Sequence, residues 1–118
     1  MSSMYSIKAI LILDADGDRI AAKHYTPDLP TLKEQRTFET NLWQKTYRAN
    51  AEIIMFENVI ACYKSTQDVY FYVLGSYEEN ELILLSALNC LYEALSRLLR
   101  SQLDKRTLLE NLDFVLLA

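Results

Sequence analysis

The sequence predicts an α+β domain with one five-stranded antiparallel sheet, and three observations carry this prediction. Five short stretches have the apolar pattern of β-strands and are bounded by turn residues. From Glu79 onwards the spacing of leucines changes to the helical period. Glycine and proline contribute two residues each to a chain of 118, which leaves little material for long loops. The expected element order is β-β-α-β-β-β-α-α.

The first two strands are expected to form a hairpin. The segment Ile7–Leu13 is apolar on both faces, which is typical of a strand buried on both sides. The residues expected to share one of its faces are Ile7, Ala9, Leu11 and Leu13. The segment Asp14–Asp18 contains Gly17 among short polar side chains and predicts a turn. The segment Arg19–Tyr25 carries charged residues, as edge strands do.

A helix is predicted to follow the hairpin. The residues from Thr31 to Glu34 match a capping box, so the helix begins there and runs to about Tyr47. The side chains expected to face the sheet are those of Leu32, Phe38, Leu42 and Trp43. Three further strands are predicted at Glu52–Phe56, Val59–Lys64 and Val69–Gly75.

The last part of the chain is predicted to be helical. A long helix beginning near Glu79 has one leucine stripe, widened by Leu85, Tyr92 and Leu99. The stripe consists of Leu84, Leu88, Leu91, Leu95 and Leu98. A final helical segment begins at about Asp104 and carries Leu108, Leu112, Val115 and Leu116.

The topology follows from which strands are most apolar. The first and fifth strands are apolar on both faces, so they are expected to be central neighbours. A crossover then gives the spatial order 2-1-5-4-3 with all neighbouring strands antiparallel. The long helix is expected on one sheet face, and the first helix either beside it or on the opposite face.

Charge and hydropathy exclude several classes of function. The net charge is −4 and the isoelectric point is about 4.9, so we expect no nucleic-acid partner. The longest apolar run, Val69–Leu74, is far shorter than the ~20 residues of a membrane-spanning helix. The start, Met1–Tyr5, has no signal-peptide pattern. The expectation is a soluble, intracellular domain.

The residues that could carry chemistry predict no catalytic, cofactor or metal site. Asp14, Asp16 and Asp18 have the spacing of a calcium loop, but Arg19 and Tyr25 stand where that loop needs glycine and glutamate. Two glycines cannot form a phosphate-binding loop, and His24 is the only histidine. We expect His24 to be exposed or to face a partner, and Cys62 and Cys90 to be free and buried. The sequence therefore predicts a protein that is not an enzyme.

Aromatic and apolar residues indicate an interaction surface instead. Trp43 and Tyr47 lie on a weakly amphipathic helix, and the chain is apolar up to Ala118. A truncated chain, or burial against a partner, would explain that apolar end. The residues predicted to form a partner interface are Leu42, Trp43, Tyr47, Leu108, Leu112 and Leu116.

Stretches along nearly the whole chain resemble one known family, the zeta subunits of coatomer, the COPI vesicle coat. They are Ile7–Asp14, Asp16–Arg19, Lys33–Gln35, Tyr63–Ser65, Asp68–Gly75, Asn80–Leu82, Leu88–Leu91 and Leu109–Asn111. These subunits are similar to the small chains of clathrin adaptors, whose longin-like fold has the sheet order 2-1-5-4-3. The resemblance implies a single longin-like domain over residues 1–118. The family continues past the last helix with a tail that is absent here, which favours truncation.

The resemblance also implies a function. It implies a non-catalytic, cofactor-free structural subunit that pairs with the large gamma subunit and joins the other coatomer subunits. The complex would be recruited by an Arf-family GTPase to Golgi membranes from the cytoplasm. It would act on COPI-coated vesicles in Golgi-to-ER retrograde and intra-Golgi transport.

The alternative is an adaptor small chain that binds cargo signals, or another longin-domain trafficking regulator. Alignment with the adaptor chains puts five residues where those chains accept dileucine signals. They are Gln67, Val69, Tyr92, Ser101 and Gln102. Amides and a tyrosine suit an apolar ligand poorly, so we expect no such binding.

Overall fold

The computed structural model describes residues 7–25, 31–47, 53–56, 59–65, 68–76, 80–98 and 108. The elements are β1 (Ile7–Asp14), β2 (Arg19–His24), α1 (Leu32–Thr46), β3 (Ile53–Phe56), β4 (Val59–Ser65), β5 (Val69–Ser76) and α2 (Glu81–Leu98). They confirm the predicted order as far as α2. The predicted final helix lies outside the described residues except for Leu108, which is helical.

The strands form one sheet in the order β2-β1-β5-β4-β3, and every neighbouring pair is antiparallel. This confirms the predicted topology. The central strands, β1 and β5, pair from Ile7 opposite Gly75 to Asp14 opposite Val69, with one register throughout from Ala9 to Asp14. Both strands are apolar on both faces, so they occupy the positions that helices cover from two sides.

The helices lie on opposite faces of the sheet, which settles the alternative that the sequence left open. Successive residues of β5 point to different cores: Phe71 and Val73 pack with α2, whereas Tyr72 and Leu74 pack with α1. The α1-side core consists of Ala9, Leu11, Leu13, Phe38, Leu42, Phe56, Val59, Ala61, Tyr63, Tyr72 and Leu74. The α2-side core consists of Ile12, Ile20, Ala21, Ile60, Cys62, Val69, Phe71, Val73, Leu84, Leu88, Leu95 and Leu108.

Two register shifts, one with an extra residue in β1 and one with an extra residue in β2, change the faces that simple alternation predicts. The register between β1 and β5 shifts between Ile7 and Ala9. Ile7 therefore packs against the α2-side core and not with Ala9, contrary to the prediction. The register between β1 and β2 shifts between Ile12 and Leu13, and both Ile20 and Ala21 point to the α2 side. An extra residue in one strand breaks the two-residue period, which is how a β-bulge re-aims side chains.

The first helix begins at the predicted cap. Thr31 has extended backbone geometry, and its hydroxyl accepts a hydrogen bond from the Glu34 N–H at 3.1 Å. Phe38 and Leu42 are buried as predicted, but Leu32 is 59% exposed. At 100° per residue, Leu32 lies roughly 100° around the helix from the Phe38–Leu42 direction, so it does not reach the sheet.

The second helix packs through its leucine stripe, as predicted. Leu84, Leu88 and Leu95 are fully buried, and Leu91 and Tyr92 pack partly against the same core. The side chains at 98 and 99 lie outside the description. Neither described helix has the length and apolarity that crossing a membrane requires.

Candidate protein-interaction surfaces

The hairpin turn is held together by its own acidic residues. One Asp14 carboxylate oxygen accepts hydrogen bonds from the N–H groups of Asp16 and Asp18, at 2.8 and 2.9 Å. The Gly17 N–H donates to the Asp14 carbonyl at 3.0 Å, and Gly17 has a φ of +85° that favours glycine. The carboxylate thus closes the turn. Among the residues that the structure describes, no three metal-ligating side chains come together.

The turn lies against an aromatic pair from α1. A Cβ atom at Gly17 would be 2.7 Å from Cδ2 of Trp43, so the indole ring lies directly on the glycine. Trp43 also stacks on Tyr47, with ring centroids 4.5 Å apart and an interplanar angle of 15°. Trp43 is half-buried, whereas Tyr47 is 37% exposed. We call Trp43 and Tyr47 the aromatic patch.

A buried carboxylate joins β2 to α1. Glu39 is 2% exposed and accepts hydrogen bonds from the Arg19 guanidinium at both oxygens, with Nε to Oε1 at 3.0 Å. The same guanidinium donates to the Gln35 side chain at 3.1 Å. His24 Nε2 lies 3.5 Å from Glu39 Oε2. The His24 side chain is 13% exposed, which corrects the expectation of an exposed histidine.

Sequence reasoning missed Glu39, although a signal for it existed. Glu39 lies four residues after Gln35, three before Leu42 and seven before Thr46, so all four share one side of α1. The bulge in β2 then puts Arg19 and His24 on the face that meets this side. The alternation of β2 alone would have placed the side chains of Arg19 and His24 on opposite faces of the sheet.

A second buried polar contact lies deeper under α1. The Tyr72 and Thr46 hydroxyl oxygens are 2.6 Å apart, and the Thr46 hydroxyl also lies 3.1 Å from the Leu42 carbonyl oxygen. Burial raises the pKa of Tyr72 above its ordinary range. The phenol therefore stays neutral. Its hydrogen bond with Thr46 holds the last turn of α1 against the sheet.

The described residues on the α2 side of the molecule form an open apolar groove of about 710 Å³. On α2, Leu82 is 64% exposed and Ile83 is 42% exposed. The residues that line the groove are Ile7, Ile10, Leu82, Ile83, Ser86, Ala87, Cys90, Leu91 and Ala94. We call this surface the α2 groove. Sequence reasoning missed it because the leucine stripe beside it dominates the pattern, although its α2 residues recur at spacings of three and four.

The two cysteines lie in different environments. Both are free; Cys62 is buried as expected, whereas Cys90 is exposed in the α2 groove, which corrects the expectation for that residue. Burial, with a smaller contribution from the Glu81 charge, raises the pKa of Cys62 to about 11. The thiolate form of Cys62 is thereby disfavoured at neutral pH.

The described residues of the predicted partner interface differ in burial and in the side of the sheet on which they lie. Leu42 and Leu108 are fully buried in the cores on opposite sides of the sheet, so they attach helices and are not solvent-facing. Leu112 and Leu116 lie outside the described residues. Trp43 and Tyr47 remain candidates for contact with a partner, and the interface at Leu112 and Leu116 stays a prediction.

Two of the five residues predicted to align with the dileucine site of adaptors, Val69 and Tyr92, are described, and both pack within the protein. Tyr92 packs edge-on against Phe71 with centroids 5.6 Å apart, and the Lys64 ammonium lies 4.3 Å from the centre of its ring. Val69 is fully buried. Gln67, Ser101 and Gln102 lie outside the described residues.

The sheet order 2-1-5-4-3 with a helix on each face defines a longin-like domain. Residues 6–118 match the family described as clathrin adaptor complex small chain, and the chain belongs to this family. The chain is similar to coatomer subunit zeta-1 of Homo sapiens, with 52% identity over 116 residues that cover 98% of this chain and 66% of the relative. It is also similar to coatomer subunit zeta-1 of Oryza sativa subsp. japonica, with 49% identity over 121 residues covering 99% and 68%. These findings confirm the resemblance to zeta subunits.

Two solved structures share the fold. A chain in a homology model of the full-length AP-3 complex in a stretched open conformation has a TM-score of 0.74 at 19% identity, covering 92% of this chain and 76% of that chain. A Roadblock/LC7 domain from Streptomyces avermitilis has a TM-score of 0.54 at 11% identity, covering 85% and 94%. These likenesses show the fold alone.

The chain spans about two thirds of the length of coatomer subunit zeta-1 of Homo sapiens.

Proposed function

We propose that this chain is a non-catalytic subunit of a coatomer-type vesicle coat, in which residues 1–118 act as one small-chain domain that binds larger coat subunits. The observation that carries the proposal is the α2 groove. A protein in water seldom leaves a continuous set of aliphatic side chains uncovered unless another molecule binds there. The similarity to coatomer zeta subunits supplies the kind of assembly.

The partner we propose is the large gamma subunit, a helical solenoid. The α2 groove follows α2 from Leu82 to Ala94, about 18 Å along the helix axis, a length that about three turns of a partner helix would cover. Ser86, Ala87, Cys90 and Ala94 are small, so a partner helix could approach closely. The aromatic patch lies on the other face of the sheet and would form a second contact. An obligate interface of this kind buries on the order of 2,000 Å² or more.

The wider assembly follows from the same proposal. The pair would join the other coatomer subunits, with an Arf-family GTPase acting on the complex and not on this chain alone. The chain would be cytoplasmic and peripheral on Golgi membranes and COPI-coated vesicles. It would act there in retrograde and intra-Golgi transport.

The chemistry of the described side chains supports a role without catalysis. The Glu39 carboxylate is buried and occupied by Arg19, so it is not open to a substrate. The raised pKa of Cys62 makes its thiol a poor nucleophile. A dileucine-binding role is not proposed, since Tyr92 and Phe71 fill the corresponding position with their own contact.

The test is co-purification of this chain with the gamma subunit at high ionic strength. Ile83→Glu puts a charge in the α2 groove, whereas Asn89→Glu adds the same charge at an exposed position of α2 that does not line it. We expect the wild type and Asn89→Glu to co-elute with gamma and Ile83→Glu to separate from it. Failure of the wild type to bind gamma would refute the proposal, and equal binding of both variants would exclude the α2 groove as the contact.

A further inference from the structure

The two edges of the sheet differ in charge. At one edge, β2 carries Arg19 and the exposed Lys23. At the other, β3 has the sequence Ile-Ile-Met-Phe from Ile53 to Phe56, with no charged residue. Natural proteins protect open edges with charges, because an open edge offers unpaired backbone N–H and C=O groups to another strand. By this criterion the β2 edge is protected, whereas the four described residues of β3 carry no such charge.

The two faces of the sheet present different side chains beside β3, an exposed methionine on one and a pocket with a lysine on the other. Met55 is 62% exposed, and its cross-strand partner Ile60 belongs to the α2-side core, so Met55 adds apolar surface on that face. On the α1 face, a pocket of about 380 Å³ lies beside Phe56. Its described lining residues are Asn41, Gln44, Lys45 and Phe56. Lys45 is the charged residue of this set.

We propose that the open edge of β3 binds an extended segment of the large coat subunit, which pairs with β3 as an added strand. The side chains of a strand alternate between the two sheet faces. A segment beside β3 would therefore place one residue against Met55 and the next against the pocket at Lys45. The segment that fits has an apolar residue beside an acidic one, because the first is buried on Met55 and the second complements the Lys45 ammonium.

This proposal rests on the proposed function. The proposed contact of the gamma subunit with the α2 groove does not depend on the contact at β3. The occupant is an extended segment and not a helix, because the backbone groups of a helix are already paired with one another and cannot extend a sheet. The α2 groove and the β3 edge share none of the lining residues that the structure describes.

The experiment compares one charge reversal at each edge in the complex of the full chain with the gamma subunit. Lys45→Glu reverses the charge beside β3, and Lys23→Glu makes the same change at the β2 edge. We expect Lys45→Glu to weaken binding by about tenfold, the effect of losing one favourable ionic contact, and Lys23→Glu to bind as the wild type does. Met55→Lys, which puts a charge on the edge itself, should also weaken binding. Unchanged melting temperatures of the free variants exclude a folding defect.

Hydrogen exchange on the wild-type complex gives the second readout. Pairing with a strand should slow exchange of the β3 amides relative to the free chain, while the β2 amides exchange as before. If the complex forms but β3 is not slowed, or if Lys45→Glu and Lys23→Glu bind equally, this inference is wrong and the proposed function stands. If the wild type forms no complex with gamma, both are wrong.

Discussion

The two faces of the sheet are attached to their helices by different chemistry. On the α1 face, buried polar groups make directional contacts: Glu39 with Arg19, and Tyr72 with Thr46. On the α2 face, the contact is made by leucines that pack on apolar strand residues. Hydrogen bonds fix one relative position of two elements, whereas apolar packing is non-directional. The buried polar contacts on the α1 face therefore specify how α1 docks. On the α2 face, the apolar surface continues beyond the buried core into the exposed α2 groove.

The largest effect should come from the apolar face. Leu88→Ala removes a fully buried side chain and should lower the free energy of unfolding by about 2–5 kcal/mol, through lost burial and the cavity left behind. Ile83→Ala, on the exposed flank of the same helix, should change it by less than about 0.5 kcal/mol. Chemical denaturation of the two variants measures both. Equal effects would contradict the assigned orientation of α2.

The next effect should come from the polar face. Arg19→Met leaves the buried Glu39 carboxylate without its main cationic partner, and removing one member of a buried ion pair destabilises strongly. Because Arg19 is itself about one fifth exposed, we expect a loss of about 2–3 kcal/mol. Lys23→Met, an exposed position of the same strand, is the control. A stability like that of the control would show that the cluster does not attach β2 to α1.

A smaller loss is expected at the hairpin. Gly17→Ala forces a non-glycine residue to a φ of +85° and brings its Cβ against Trp43. The backbone term alone costs roughly 1–2 kcal/mol. In the background Trp43→Ala, the steric part disappears and the backbone part stays, so the same substitution should cost less there. If both backgrounds lose the same amount, the ring does not constrain the turn.

The last effect is absent at neutral pH and concerns the pH dependence of stability at Cys62. Its pKa is about 11 in the folded protein, above that of an unfolded cysteine at roughly 8.5. Between these values the unfolded chain releases this proton first, so the contribution of Cys62 to stability falls as pH rises from about 9 to 11. Cys62→Ser should remove this part of the slope in melting curves recorded across that range. An identical slope in the variant would assign it to other groups.

Local pattern was sufficient for most of the fold. The cap at Thr31 and the leucine stripe of α2 follow from spacing along the chain, and the central place of β1 and β5 follows from their apolar faces. The faces of Ile7 and Ile20 could not be predicted in the same way. Each depends on a register shift against a neighbouring strand, and such a shift leaves no mark in the sequence of β1 or β2 alone.

The interaction surface was harder to predict because an apolar residue on a helix has the same pattern whether it is buried or exposed. The sequence pattern predicts an interface at Leu42, which is buried, and none at Leu82 and Ile83, which are exposed. Which of them meets the sheet depends on the phase of each helix over the sheet. The aromatic patch was predictable in part, because Trp43 and Tyr47 lie four residues apart on α1.

The most direct test of the central claim, that a coat partner covers the α2 groove, is the alkylation rate of Cys90. The Cys90 thiol is exposed in the α2 groove, whereas Cys62 is buried and has a raised pKa. Because the two cysteines lie in different parts of the sequence, the label on each can be measured in a separate peptide. Near pH 8 the free chain should be alkylated at Cys90 much faster than at Cys62. In the complex with the gamma subunit, alkylation of Cys90 should become slow. An unchanged rate at Cys90 in a complex shown to be fully assembled would contradict the account.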